Sequence, residues 1–174
     1  MQRYHKFLWW IGMVVGIFLL LAGCKEKVDP PAPLQTFTAE IAFQCGELTG
    51  AAQMTRSNPS MLTLSFVAPQ TLEGFEMECN QGMVTISFQQ VSVSMTNSLP
   101  DSALITVLSQ AFDKVEASEQ VQVSFDGENW TFDDTLSNTA GDFRLTVTQS
   151  GEPVAFAAEQ AGISVTFSQV QQIL

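Results

Sequence analysis

Residues 37–45 read Phe37-Thr38-Ala39-Glu40-Ile41-Ala42-Phe43-Gln44-Cys45. The large apolar side chains take the odd positions and Thr38, Glu40 and Gln44 fall between them, which is the period of a strand with one buried face. A helix would scatter the same side chains around its axis. The alternation returns along the chain at Leu62, Leu64 and Phe66, at Phe75, Met77 and Cys79, at Val84, Ile86 and Phe88, and at Val91, Val93 and Met95, with a change of phase at Gln89-Gln90. Gly46 to Arg56 is less regular and is read as holding the partner strand of the first. The C-terminal half continues in the same manner. Val121, Val123 and Phe125 lead into the turn signal Asp126-Gly127-Glu128-Asn129, followed by Trp130 and Phe132. Phe143, Leu145 and Val147 run to Ser150-Gly151-Glu152-Pro153, then Val154 and Phe156, and Gly162 opens a last strand with Ile163, Val165 and Phe167.

One segment leaves this period. Between Ser98 and Val115 the apolar residues Leu104, Val107, Leu108, Ala111, Phe112 and Val115 recur three and four apart, so they line one side of a helix. Ser98 with Asp101 has the spacing of a capping box, and Pro100 is tolerated only in a first turn. A lone amphipathic helix between two blocks of strands has to bury its stripe on the sheet, and the fold class expected is α+β.

Ahead of the strands, Arg3 and Lys6 precede an uncharged apolar run from Phe7 to Leu21, which ends in Leu21-Ala22-Gly23-Cys24. The run of 15 residues is short against the roughly 20 that a membrane-crossing helix needs. The order of basic, apolar and small residues is that of a secretory leader. Leu21-Ala22-Gly23-Cys24 resembles the bacterial lipobox, and that resemblance implies cleavage after Gly23, acylation of Cys24 and a place on the extracytoplasmic face of the cell membrane. Each buried methylene of such an anchor contributes about 0.8 kcal/mol. The organisation expected is a signal peptide over residues 1–23, the lipidated Cys24 and a tether over residues 24–35, and one domain over residues 36–174. Asp29-Pro30-Pro31-Ala32-Pro33 makes the tether stiff and extended.

Cleavage would leave five Lys and Arg against 18 Asp and Glu, a net charge of −13. Nucleic acid is thereby excluded as a partner, since phosphate binding needs a basic surface. His5, the only histidine, lies in the leader, so the domain lacks the commonest general base and metal ligand. No phosphate loop, nucleophile elbow or paired-cysteine zinc spacing occurs, and neither Asp126 with Glu128 nor Asp133 with Asp134 matches a calcium loop. The expectation is a non-enzymatic protein with no cofactor and no metal. Cys45 and Cys79 both fall on apolar strand faces, and either a disulfide or two buried free thiols satisfies that placement.

A meander, a helix and a second set of strands, in that order, is similar to the lipoprotein-carrier superfamily of LolA, LolB and the LppX-type envelope lipoproteins. The segments that carry the likeness are Phe37-Thr38-Ala39-Glu40-Ile41, Met54-Thr55-Arg56-Ser57-Asn58-Pro59 running into Leu62-Thr63-Leu64-Ser65-Phe66 and Ala68-Pro69, and the late hairpin Leu145-Thr146-Val147 to Val154-Ala155-Phe156. The resemblance implies a curved antiparallel sheet, an incomplete barrel, with the amphipathic helix on its concave face. It also implies an apolar cavity for a lipid-like ligand or a docking face for an envelope protein. Ile41, Phe43, Leu64, Phe66, Phe75, Ile86, Phe88, Leu104, Leu108 and Phe112 would line that cavity. The alternative is a structural or protein-interaction lipoprotein of the germination-associated type, in which these side chains fill the core and no ligand enters. A Cys24→Ala chain expressed in bacteria is expected to incorporate no labelled palmitate, whereas the parent chain does; label in the variant would rule out the anchor.

Overall fold

The computed structural model describes residues 29–96, 99–100, 102–117, 121–136 and 140–173. Six strands come first: β1 (Phe37–Cys45), β2 (Leu48–Asn58), β3 (Met61–Ala68), β4 (Phe75–Asn80), β5 (Met83–Phe88) and β6 (Val91–Thr96). The helix α1 (Leu104–Ala117) follows, and then β7 (Gln122–Phe125), β8 (Trp130–Thr135), β9 (Asp142–Val147), β10 (Pro153–Ala158), a 3-10 turn at Glu159–Ala161 and β11 (Ile163–Gln172). All eleven strands form one antiparallel sheet in the order β6-β5-β4-β3-β2-β1-β11-β10-β9-β8-β7. Two meanders are thus joined at a single seam. There β1 pairs with β11, Ile41 opposite Phe167 and Phe43 opposite Val165. The sheet does not close, and β6 and β7 are its two edges.

Register places the apolar residues of every strand on one face, called here the inner face. One transverse row runs Ala39, Met54, Leu64, Met77, Ile86, Val93, and another runs Phe43, Val165, Phe156, Leu145, Phe132, Val123. Glu40, Gln53, Ser164 and Thr166 point to the opposite side and are exposed. The turns that fix this register have local causes. Asp126 Oδ1 accepts the backbone N–H groups of Glu128 and Asn129 at 2.8 and 2.7 Å and so closes the β7–β8 hairpin. Hydrogen bonds from Asn129 and then Glu128 favour the carboxylate and hold the Asp126 pKa below its ordinary value. The change of phase at Gln89-Gln90 is a two-residue turn, with Phe88 paired to Val91 across it.

The helix begins at Leu104, later than the segment expected from the sequence. Ser98 and Asp101, the expected capping pair, lie outside the described residues. Pro100 precedes the helix and does not belong to its first turn; its carbonyl accepts the Ala103 N–H at 2.8 Å. Leu104, Val107, Leu108, Ala111, Phe112 and Val115 are buried as the periodicity requires, and Ile105 and Ser109 are buried with them. The Phe112 ring lies 5.6 Å from Phe37 and 6.2 Å from Phe167, so it straddles the β1–β11 seam. Burying such a side chain contributes about 1.5–3 kcal/mol.

Arg56, in β2, completes the joint between helix and sheet. Its guanidinium is 5.4 Å above the Phe112 ring, and Nη2 donates to Asp113 Oδ1 at 3.1 Å and to Glu116 Oε2 at 3.0 Å. Nη1 donates to the Gln35 carbonyl at 3.2 Å. The approach to β1 is bonded down as well: the Leu34 N–H donates to the Gly151 carbonyl at 2.9 Å, and Leu34 packs against the core.

Cys45 and Cys79 do not meet. The transverse row through Cys79 contains Leu62 and Arg56 and reaches β1 at Phe37, the end of that strand remote from Cys45. Three strand spacings and the length of β1 separate two groups whose Cα atoms would have to lie within about 7 Å to bond. The disulfide alternative is therefore corrected to two free thiols. Burial alone pushes the Cys45 thiol above its ordinary pKa.

Two outcomes follow for measurement. Asp113→Asn combined with Glu116→Gln leaves Arg56 buried without a counter-charge and is expected to lower stability by about 3 kcal/mol. Arg56→Met, which removes the buried charge itself, costs less, and urea unfolding of the two variants checks the order. Thiol alkylation of the folded protein is expected to modify Cys45 before the more buried Cys79. Because the raised pKa keeps Cys45 protonated, its rate should still be climbing above pH 9.0; a thiol count of zero at Cys45 and Cys79 after unfolding without reductant would refute the assignment.

Candidate functional site

The ten apolar residues singled out from the sequence divide into two groups. Ile41, Phe43, Leu64, Phe66, Leu104, Leu108 and Phe112 are buried and belong to one continuous core. The stripe of α1 meets the middle of the inner face there, and the side chains occupy the space between helix and strands that a ligand would need. Phe75, Ile86 and Phe88 fall outside that contact. Phe75 and Ile86 are half-buried against the edge of the core, and Phe88 is 37% exposed. They are the members of the set that line an accessible surface.

That surface continues onto a strand to which the sequence reading gave no site residue. Val91 and Val93 of β6 are 68% and 54% exposed, although both stand on the inner face. Phe75 and Phe88 stack beside them with ring centroids 4.4 Å apart and planes at 19°. Pairing Phe75 with Phe88 and Phe88 with Val91 sets these three residues in one row, and pairing Ile86 with Val93 sets the next. A smaller counterpart occurs at the other edge, where Val123 and Phe125 of β7 are exposed beside Trp130. Period-two alternation could identify the side of the sheet on which Val91 and Val93 lie, but not how far the helix would reach over it.

A groove of about 560 Å³ lies elsewhere, lined mainly by polar residues that include Asp133, Asp134, Asp142, Arg144 and Gln160. Its charges serve each other and the fold. Arg144 Nε bonds Asp133 Oδ1 at 2.8 Å, Lys114 Nζ bonds Asp134 Oδ1 at 3.2 Å, and Thr135 donates to Asp142 at 2.5 Å. None of the ten apolar residues lines it. Among the described residues no group of three or more His, Cys, Asp or Glu side chains is arranged to hold a metal ion. Asp126 is engaged in its own turn, and Asp133 and Asp134 in ion pairs. Cys24 and the expected leader lie outside the described residues, and among the described ones no helix is long and apolar enough to cross a membrane.

No protein-family model matches the chain, and no curated protein matches it. Solved structures do. A conserved protein of unknown role from Thermus thermophilus is 12% identical with a TM-score of 0.50, over 80% of this chain and 79% of its own. A LolA superfamily protein from Nitrosomonas europaea is 13% identical with a TM-score of 0.45, over 83% and 88%. A chain in the structure of the Clostridioides difficile CwlD amidase with the GerS lipoprotein is 11% identical with a TM-score of 0.45, over 78% and 81%. At these identities the first similarity is one of fold: a large open sheet carrying a helix.

Proposed function

We propose that this chain is a non-enzymatic, lipid-anchored protein of the extracytoplasmic membrane face that takes an apolar, lipid-like ligand on the accessible inner surface around Phe75, Phe88, Val91 and Val93. The observation that carries the reading is the exposure of Phe88, Val91 and Val93 on the face that most of the sheet buries. Contiguous apolar surface of this kind marks a binding site in a soluble domain. Phe75 stacked on Phe88 offers a broad ring face, and Met77 and Met95 in the neighbouring rows adapt to an irregular chain.

The concave geometry of a carrier is supported by the reach of α1. Arg56 on β2 and Asp134 on β8 stand five strands apart in the sheet, about 24 Å across if it were flat. Both are nevertheless ion-paired to the same turn of helix, Arg56 through Asp113 and Asp134 through Lys114. A sheet that curls around α1 brings them together. The lipobox-like Leu21-Ala22-Gly23-Cys24 supports the anchor, and the lack of a histidine beyond His5 supports a role without acid–base chemistry.

A second reading, a lipoprotein that docks a partner protein and holds no lipid, is favoured by the packing of seven of the ten expected cavity residues into the core. Photo-crosslinking separates the two. Membranes holding the full chain are irradiated with added diazirine palmitate, and adducts are expected on peptides spanning Phe75 to Met95. Phe88→Asp should reduce them roughly tenfold, the loss of one apolar contact of about 1.5–3 kcal/mol. Adducts confined to residues 1–35, or none, would exclude the ligand and leave the partner-docking role.

A further inference from the structure

The β5–β6 hairpin has two properties that binding on its inner face does not require. First, among the described residues no strand pairs with β6 on its outer side. Natural edge strands are protected by shortness, by Lys or Pro, by a bulge or by an inward charge. β7, the other edge, has only four residues and runs into Asp126. β6 has six, Val91-Ser92-Val93-Ser94-Met95-Thr96, with no charge and no proline, and its register against β5 is continuous from Phe88–Val91 to Met83–Thr96. Counted from the two-residue turn at Gln89-Gln90, the alternation of an antiparallel ladder directs the backbone groups of Ser92 and Ser94 away from β5. They form a ready template for another strand.

Second, the charge pattern selects the occupant. From Cys79 to Pro100 the sequence holds no Asp, Glu, Lys or Arg, and no other stretch after Cys24 runs so far without one. Elsewhere the surface belongs to a strongly acidic chain, on which two copies would repel. The outer side of the same hairpin is neutral too, with Thr85 Oγ1 and Ser94 Oγ 2.9 Å apart. A basic partner would be drawn to the acidic surface and not to this tract. A second copy is repelled least where neither molecule presents charge, and this hairpin belongs to the longest such tract.

We infer that two copies of the chain pair edge to edge through β6, antiparallel about a two-fold axis, so that the exposed Val91 and Val93 of both molecules join one continuous apolar surface. A two-fold axis normal to the sheet keeps both inner faces on the same side, because opposed residues of an antiparallel pair share a face. The edge pairing stands on β6 alone; the view of the joined surface as one longer ligand trough rests on the function proposed above.

Light scattering on the full chain, eluted from a sizing column in detergent, measures the protein mass. Twice the mass of one chain is expected for the parent. Ser94→Pro removes an outward-directed N–H, Val93→Lys puts a charge on an exposed side chain, and each should halve the mass without altering the far-ultraviolet circular dichroism. Val123→Lys, on the opposite edge, should leave it unchanged. A single-chain mass for the parent overturns the pairing, as does a double mass that survives both β6 substitutions or falls with Val123→Lys, and as does a different protein eluting in place of the second copy. Loss of palmitate adducts with the double mass intact defeats the ligand reading alone; a single-chain mass with adducts intact defeats the pairing alone.

Discussion

Among the described residues Arg56 is the one charged side chain that the fold withdraws from water, with 2% of its surface exposed. It stands where three parts of the chain meet: the sheet through β2, the approach segment through the Gln35 carbonyl, and the helix through Asp113 and Glu116. Apolar contact alone would allow α1 to slide along a sheet whose inner face is greasy over its full width. A guanidinium with two carboxylates and a carbonyl around it has only one geometry that satisfies all three. The position and direction of the helix follow from that geometry, and so does the part of the inner face that the helix leaves open.

With α1 lying closest to β3 and β4 and its Phe112 ring reaching the β1–β11 seam, the two wings of the sheet fare differently. On the C-terminal side Phe132, Phe143, Leu145, Val147 and Phe156 are buried, and β7 at the rim exposes Val123 and Phe125. On the N-terminal side burial varies along the strands: Leu62, Leu64, Cys79 and Val84 are buried, Phe75 and Met77 half-buried, and Phe88, Val91 and Val93 exposed. The apolar pattern of the sequence is nearly uniform across these strands. The difference therefore follows which inner-face positions the single 14-residue helix, about 21 Å long, packs against, and not any change in the strands themselves.

This explains what could be read in advance. Strand positions and the inward side of each were legible because a period of two is a local property, and Phe37 to Cys45 already displays it. The stripe of α1 was legible for the same reason. The order of strands was not: pairing β1 with β11 depends on contacts between residues more than a hundred positions apart, and nothing local announces it. Local spacing likewise could not tell Ile41, which is core in central β1, from Phe88, which is exposed at the end of β5, since both stand at inward positions of alternating strands. Cys45 and Cys79 illustrate the same gap, because a shared face says nothing of separation within it. Arg56 passed unremarked as part of a resemblance, although a lone cation at an inward position of a strand was a signal that a counter-charge had to be found.

The seam between β1 and β11 also sets the order in which the molecule can be completed. Phe37 lies opposite Gln172, so β1 waits until the chain has been made as far as β11 before its second flank is covered. Neighbouring hairpins such as β1 with β2 and β4 with β5 can form as they emerge, but joining them into one sheet depends on the most distant contact in the chain. The ten-residue β11 is for this reason a keystone of the sheet. A chain ending at Gly162 would lose a strand from the middle of the sheet, and the remaining meanders would be left as two separate ribbons with raw edges facing each other.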